Sequence, residues 1–273
     1  MREITRVEEI QEILFESLCY FDDFCSKHGI QYFLSNGTLL GAVKYGRFIP
    51  WDDDVDVLLP RNEYNKLVSM PEINNGKYRL LCSEQFPEWR RPYSKLSYEY
   101  TVVNEGNCDF GMDFGVSVDI FPIDNWNPLY PIAWLEAFCG ELSKRMLVCS
   151  VGGEFYTKKT GIKRFILHTI WHFGKKIGYQ SLLKKINNSV KRGAKYKNKY
   201  MGCRAWVCHS FKEVLPAAVF EKNDNILFCN RSFPVPIGYK KYLDNLYGDW
   251  KKELPAEEQH SNHEIKVWWK DER

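Results

Sequence analysis

Apolar residues recur with a helical period over Val7 to His28, where Ile10, Ile13, Leu14, Leu18, Phe21 and Phe24 form one stripe and Gly29 follows as a C-cap. Tyr32-Phe33-Leu34 reads as a short buried strand, and the small-residue turn Ser35-Asn36-Gly37 leads into a short helix from Thr38 to Tyr45. Beyond a loop over residues 46–51, Val55, Val57 and Leu59 alternate as one face of a strand that Pro60 stops, before a helix from Asn62 to Met70. Further strands are expected at Tyr78–Cys82, Tyr100–Asn104 and Val116–Phe121, the last ended by Pro122. From Trp126 to about Tyr200 the pattern is helical, with breaks at Lys158–Thr160 and Gly174–Gly178. Short strands return around Ala205–His209 and Ile226–Phe233, and a helix from Tyr239 to Tyr247 ends near Gly248. With no repeat and no low-complexity linker, the expectation is one α+β domain over residues 1–273 with a helical insertion at about 127–201.

Charge sharpens that division. Between Lys144 and Tyr200 fifteen Lys/Arg stand against one acid, Glu154, which leaves −11 for the rest of a chain whose total is +3. A basic segment in an otherwise acidic chain points to an anionic partner. Within it, Phe165-Ile166-Leu167-His168-Thr169-Ile170-Trp171 lies between Lys163-Arg164 and Lys175-Lys176, as in a helix resting on an anionic membrane face. Solvated lysines on a helix that packs inward would give the same pattern. No nucleic-acid reader motif accompanies the charge, so no nucleic-acid partner is expected. No apolar run approaches the length of a membrane span, and Met1 to Glu9 lack the apolar stretch of a secretory signal. Nine scattered cysteines then fit reduced thiols in a cytoplasmic protein; Cys203, Cys208 and His209 cluster locally but match no standard zinc spacing.

The chemistry concentrates in Pro50-Trp51-Asp52-Asp53-Asp54-Val55-Asp56-Val57-Leu58-Leu59, where four carboxylates occupy five positions before an apolar strand. Asp54 and Asp56, two apart, project to one side, where a hard oxygen-liking cation such as Mg²⁺ or Mn²⁺ would offset their repulsion. Asp119, opposite in facing to Val118 and Ile120, is the candidate third carboxylate from a neighbouring strand, while Asp52 and Asp53 flank the pair. Upstream, Gly37 and Thr38 would offer backbone N–H groups and a hydroxyl to a phosphate, and Lys44, Arg47 and Arg61 could neutralise a diphosphate. His263, and less so His260, are candidates to carry a proton or bond a phosphate. The competing reading of the acids is a solvated loop or a structural calcium site.

The run from Asn36 through Asp56 to Arg61 and Tyr64 closely resembles the LicD family of phosphotransferases, of which fukutin-related proteins are distant relatives. Val118-Asp-Ile-Phe-Pro-Ile-Asp124 is similar to the family's second block, and Tyr247 to Pro255 with the histidines beyond to its C-terminal block. The resemblance implies a nucleotidyltransferase (polymerase β-like) core with a small mixed sheet. In it Asp54, Asp56 and Asp119 are both metal ligands and catalytic, Asp119 sharing a metal or taking the acceptor's proton, and Gly37-Thr38 form the glycine turn. It also implies transfer of a phospho-alcohol, phosphocholine-like, from a CDP-alcohol donor to a glycan hydroxyl with release of CMP. The setting would be lipopolysaccharide, teichoic acid or polysaccharide modification, with a lipid-linked acceptor at the cytoplasmic membrane face. Two rivals remain at this point: attack on an α-phosphorus with pyrophosphate release, and a non-catalytic binder of anionic glycan or membrane.

Overall fold

The computed structural model describes residues 1–106, 109–153, 155, 157, 159–197, 199–261 and 265–270. Helix α1 (Val7–His28) buries the predicted stripe, and Gly29 at φ 59° returns its N–H to Cys25 and Ser26 carbonyls, as an αL cap does. It packs across the central sheet. The sheet begins with β2 (Phe33–Leu34), antiparallel to β3 (Val55–Pro60); helix α2 (Asn36–Tyr45) and the acidic loop connect them. Helix α3 (Arg61–Val68) leads to β4 (Tyr78–Leu81), β5 (Ser94–Tyr98), β6 (Thr101–Asn104) and β7 (Ser117–Trp126). The order is β2-β3-β7-β5-β4, with β3 and β7 parallel and the other neighbours antiparallel. This is the mixed α+β architecture expected.

Several expectations need correcting. Strand β7 does not stop at Pro122 but runs on to Trp126. On one side β7 pairs with β5 as far as Ile120 and with β8 (Tyr200–Cys203) only from Ile123, so the proline that lacks an N–H falls in the gap between partners. Strand β5 was not anticipated at all. Only Leu96 and Tyr98 alternate with buried polar Lys95 and Ser97, and two apolar positions are too short a run to mark a strand. The expected strand at Ala205–His209 is irregular chain, displaced by β8 before it and by β9 (Leu215–Pro216) after it.

The run from Ile226 to Phe233 is instead a hairpin of β10 (Asn223–Phe228) and β11 (Arg231–Pro236), its turn made by Cys229 and Asn230 at φ 48° and 68°. Helix α7 (Tyr239–Tyr247) is as expected. Both ends of the chain meet in a small sheet: β12 (Lys266–Trp269) lies between β1 (Arg2–Ile4) and β6.

The basic segment holds α4 (Tyr130–Val151), α5 (Gly161–Ile177) and α6 (Tyr179–Gly193). Buried Arg204 ties it down: its guanidinium pairs with Glu136 of α4 (2.9 Å), donates to the Ser189 carbonyl of α6 (2.8 Å) and lies 4.6 Å from the Trp126 ring centre. Of the seventeen residues of α5 only Gly174 is buried, while Ile162, Phe165 and Ile166 are more than half exposed. Among the described residues no helix is long and apolar enough to cross a membrane.

Candidate active site

The acidic loop is held in place by its neighbours. Gln11 of α1 donates to the carbonyls of Ile49 (3.1 Å) and Asp52 (2.8 Å), and Asp52 closes a turn onto the Ile49 carbonyl (2.9 Å). Gly41 allows this loop to lie against α2, since a Cβ there would meet the Arg47 carbonyl oxygen at 2.8 Å. Thr38 fixes the strand that follows: its buried hydroxyl accepts the Asp56 N–H at 2.9 Å. Thr38 therefore anchors β3 from beneath the cleft, whereas Gly37 is on the cleft wall, close enough that a Cβ would stand 2.9 Å from an Asp52 oxygen.

Sheet register then assembles the charges. Asp56 of β3 is directly opposite Asp119 of β7, and Asp119 is directly opposite Lys95 of β5, so the three form one row across the sheet on one face. The Lys95 ammonium donates to both Asp119 oxygens, at 2.6 and 2.8 Å, and approaches Glu105 at 3.5 Å. Burial pushes the Asp119 carboxyl up to about 6 even with Lys95 pulling it down. Burial alone would lower the Lys95 ammonium, but the Asp119 carboxylate beside it keeps it above the ordinary lysine value. Asp56 is pushed well above the usual carboxylate range by burial and by the charges of Asp54, Asp119 and Asp52. An Asn36 side-chain hydrogen bond offsets part of this. Asn36 itself receives the Tyr242 hydroxyl (2.8 Å) and holds φ 44°, a left-handed conformation that is costly for a residue with a Cβ.

The row opens into a cleft of about 600 Å³, within the size range of small-molecule sites. Asp52, Asp53, Asp54, Asp56, Asp119 and Glu105 line it, with Lys44, Arg91, Lys95 and Lys252. The structure thus brings together Gly37, Lys44, Asp54, Asp56 and Asp119 of the residues expected from the sequence. Lys44 reaches the C-terminal segment, donating to the Lys252 carbonyl (2.6 Å) and pairing with Glu253 (3.3 Å). His260 lines the cleft from the same segment; His263 lies outside the described residues.

Arg47 and Arg61 are not in the cleft. Arg47 is exposed beyond the end of α2, where the chain turns away at Gly46. Arg61 follows the far end of β3, five residues from Asp56 or about 16 Å along a strand. There its fork grips both oxygens of buried Asp124 at 2.7 Å each. Arg61→Ala should cost about 2–3 kcal/mol by stranding that carboxylate, less than a fully buried pair because the arginine is partly exposed. The turnover of the folded fraction should persist. Denaturant unfolding alongside kcat checks both; a lost kcat with intact stability would return Arg61 to the site.

Sequence reading missed Lys95, Arg91 and Asn36. The first two lie on or beside β5, whose two apolar positions are too few to mark a strand, and the sequence offers Asn36 as part of a turn and of the motif but gives it no role of its own. The acids Asp54 and Asp56 offer hard oxygen donors, and their excess negative charge is what a divalent cation would offset, so they fit Mg²⁺ or Mn²⁺. Among the described residues, however, no three His, Cys, Asp or Glu side chains stand ready as a ligand set, at the acids or around Cys203, Cys208 and His209. Lys95 already holds Asp119.

Residues 29–136 match the family described as LicD/FKTN/FKRP, nucleotidyltransferase domain. The chain is 26% identical over 278 residues to the lipopolysaccharide cholinephosphotransferase LicD of Haemophilus influenzae, with 96% of this chain and 97% of that protein covered. A 59-residue stretch is 34% identical to an uncharacterised protein of Rickettsia typhi, covering 21% and 19% of the two chains. The acidic loop, β3 and β7 fall inside the matched region, so the part of the chain that builds the acidic side of the cleft is similar to the LicD/FKTN/FKRP nucleotidyltransferase domain.

Proposed function

We propose that the cleft transfers a phospho-alcohol of the phosphocholine class from a CDP-linked donor to a glycan hydroxyl, as in modification of lipopolysaccharide. The observation that carries this reading is the Asp56–Asp119–Lys95 row at the floor of the cleft, in a chain similar over nearly its whole length to a cholinephosphotransferase. In the reaction the acceptor oxygen bonds to the distal phosphorus of the donor, the bond from that phosphorus to the bridging oxygen breaks, and CMP leaves. A Mg²⁺ or Mn²⁺ ion held by Asp54 and Asp56 would offset the negative charge of the diphosphate. Asp119, with its proton affinity raised, takes the hydroxyl proton, and Lys95 keeps that carboxylate oriented towards the acceptor. The expected core is the nucleotidyltransferase type that the family's description names.

The basic helices supply the surroundings of the acceptor. Val148 of α4 lines the cleft, so the insertion forms part of its wall, and the exposed apolar residues of α5 among lysines suit contact with an anionic membrane. The test is a panel of CDP-choline, CDP-ethanolamine, CDP-glycerol and CDP-ribitol scored for CMP with a phosphorylated-glycan acceptor. CMP release with at least one donor, dependent on acceptor and divalent cation, is expected. Pyrophosphate release from a nucleoside triphosphate in its place would assign attack at the α-phosphorus instead.

A further inference from the structure

Four Lys and Arg side chains line the cleft, and three of them have a carboxylate partner. Lys44 pairs with Glu253, Lys95 with Asp119, and Lys252 with Asp249 at 2.7 Å. Arg91 is the exception: among the described residues no acid pairs with it, although it is only 2% exposed. The nearby Asp109 carboxylate is taken by Arg90, and Arg91 donates only to that residue's backbone carbonyl, at 3.0 Å, and to the Arg90 carbonyl at 2.9 Å. Both of these bonds use one terminal nitrogen, which leaves the remaining N–H groups of the fork to be satisfied.

The guanidinium is nonetheless firmly seated. Its carbon is 3.9 Å from the Phe110 ring centre and 5.6 Å from that of Trp206. Phe110 belongs to a satellite core with Leu81, Trp89 and Phe114, and Trp89 ties the chain back by donating to the Tyr93 carbonyl at 2.8 Å. The same Phe110 ring is 5.5 Å from the Lys95 ammonium, so Arg91 lies on the Lys95 side of the row, away from Asp56. A buried, stacked and unpaired guanidinium in a ligand cleft is costly by itself and gains most from an oxyanion that its fork can hold through two N–H bonds.

We infer that Arg91, held between Phe110 and Trp206, is an anion-binding group of the cleft that takes the phosphate oxygens of a substrate. This rests on the phosphotransferase reading only for which substrate bears the phosphate, donor or acceptor; binding of the anion stands without it. The cleft then has two electrostatic ends: the acids of the loop, which attract cations, and Arg91 with Lys95, which attract phosphate.

The experiment uses the full chain and measures binding of inorganic pyrophosphate, CDP and cytidine by calorimetry with Mg²⁺ present. Arg91→Gln should weaken pyrophosphate about 10- to 100-fold, the range of a hydrogen bond to a charged group, and leave cytidine unchanged. Arg91→Lys should fall between, because it restores charge without the fork. A matching loss for CDP and a raised KM for the CDP-alcohol assign the phosphate to the donor. A raised KM for a phosphorylated acceptor alone assigns it to the acceptor. Should Arg91→Gln not fold, Trp206→Leu, which keeps the carbonyl partners but removes one stacking wall, must weaken pyrophosphate in its place. Wild-type pyrophosphate binding and unchanged KM values in folded variants would overturn the inference. Absence of CMP release by the wild-type protein would count against the transfer reaction only.

Discussion

Asp56→Asn should lose about 10³-fold or more in kcat and yet gain stability when metal is withheld. The two effects share one cause. Asp56 is buried beside Asp119 with Asp54 and Asp52 near, and its folded-state proton affinity is raised by that burial and by those three charges, with no Lys or Arg among the described residues paired to it as Lys95 is to Asp119. A carboxyl raised in this way favours folding only while protonated, so its contribution is present below the unfolded value near 4 and is lost as the pH rises. In chelator at pH 7.5 the asparagine, which carries no charge to bury, should therefore unfold at higher denaturant than wild type. The gap should close as the pH falls towards 4. With Mg²⁺ added, wild type should recover stability and the variant should not, which measures the metal without reference to turnover. Wild-type kcat in Asp56→Asn would remove the claim that this carboxylate serves the chemistry. A variant less stable than wild type in chelator would remove the claim of uncompensated charge.

The second large effect is structural in origin. Lys95→Met should cost about 3–5 kcal/mol, since it leaves Asp119 buried opposite no cation while both its hydrogen bonds from Lys95 are lost. For a chain of this size that is a fall in Tm of about 5–10 °C. The double variant Lys95→Met with Asp119→Asn should recover most of the stability, because neither partner is then stranded, and recover none of the activity. Such a cycle separates holding the sheet together from acting on substrate. A Lys95→Met protein as stable as wild type would mean that the pair is not the buried one the row describes.

How much of this was legible in the residues follows from what each signal depends on. Helix α1 and its glycine cap, α7 and the acidic strand β3 are local: a 3.6-residue or two-residue apolar period and a cap residue suffice. The long motif through Asn36, Asp54 and Asp56 was legible for the same reason, being one contiguous run that the LicD match later covered. Strand β5 was not, because its apolar face is only Leu96 and Tyr98, and the buried Lys95 and Ser97 of the other face read as solvent-facing until their cross-strand partners are known. Arg61 misled for a related reason. Proximity in sequence to the acids suggested proximity in space, but a strand carries its two ends apart, and Asp124 on the neighbouring strand claimed the side chain.

The sequence by itself determined which groups the protein has to work with: clustered carboxylates at a strand entrance, a glycine turn ahead of them, and a basic helical stretch after them. Their facing was also implicit, since alternate residues of a strand share a side. Only the tertiary structure decided that Asp119 stands opposite Asp56, that the Lys95 ammonium pairs with Asp119, and that no acid among the described residues pairs with Arg91. The physical reason is that charge pairing depends on register between strands and loops distant in sequence. Coulomb energy falls with separation in space and takes no account of separation along the chain.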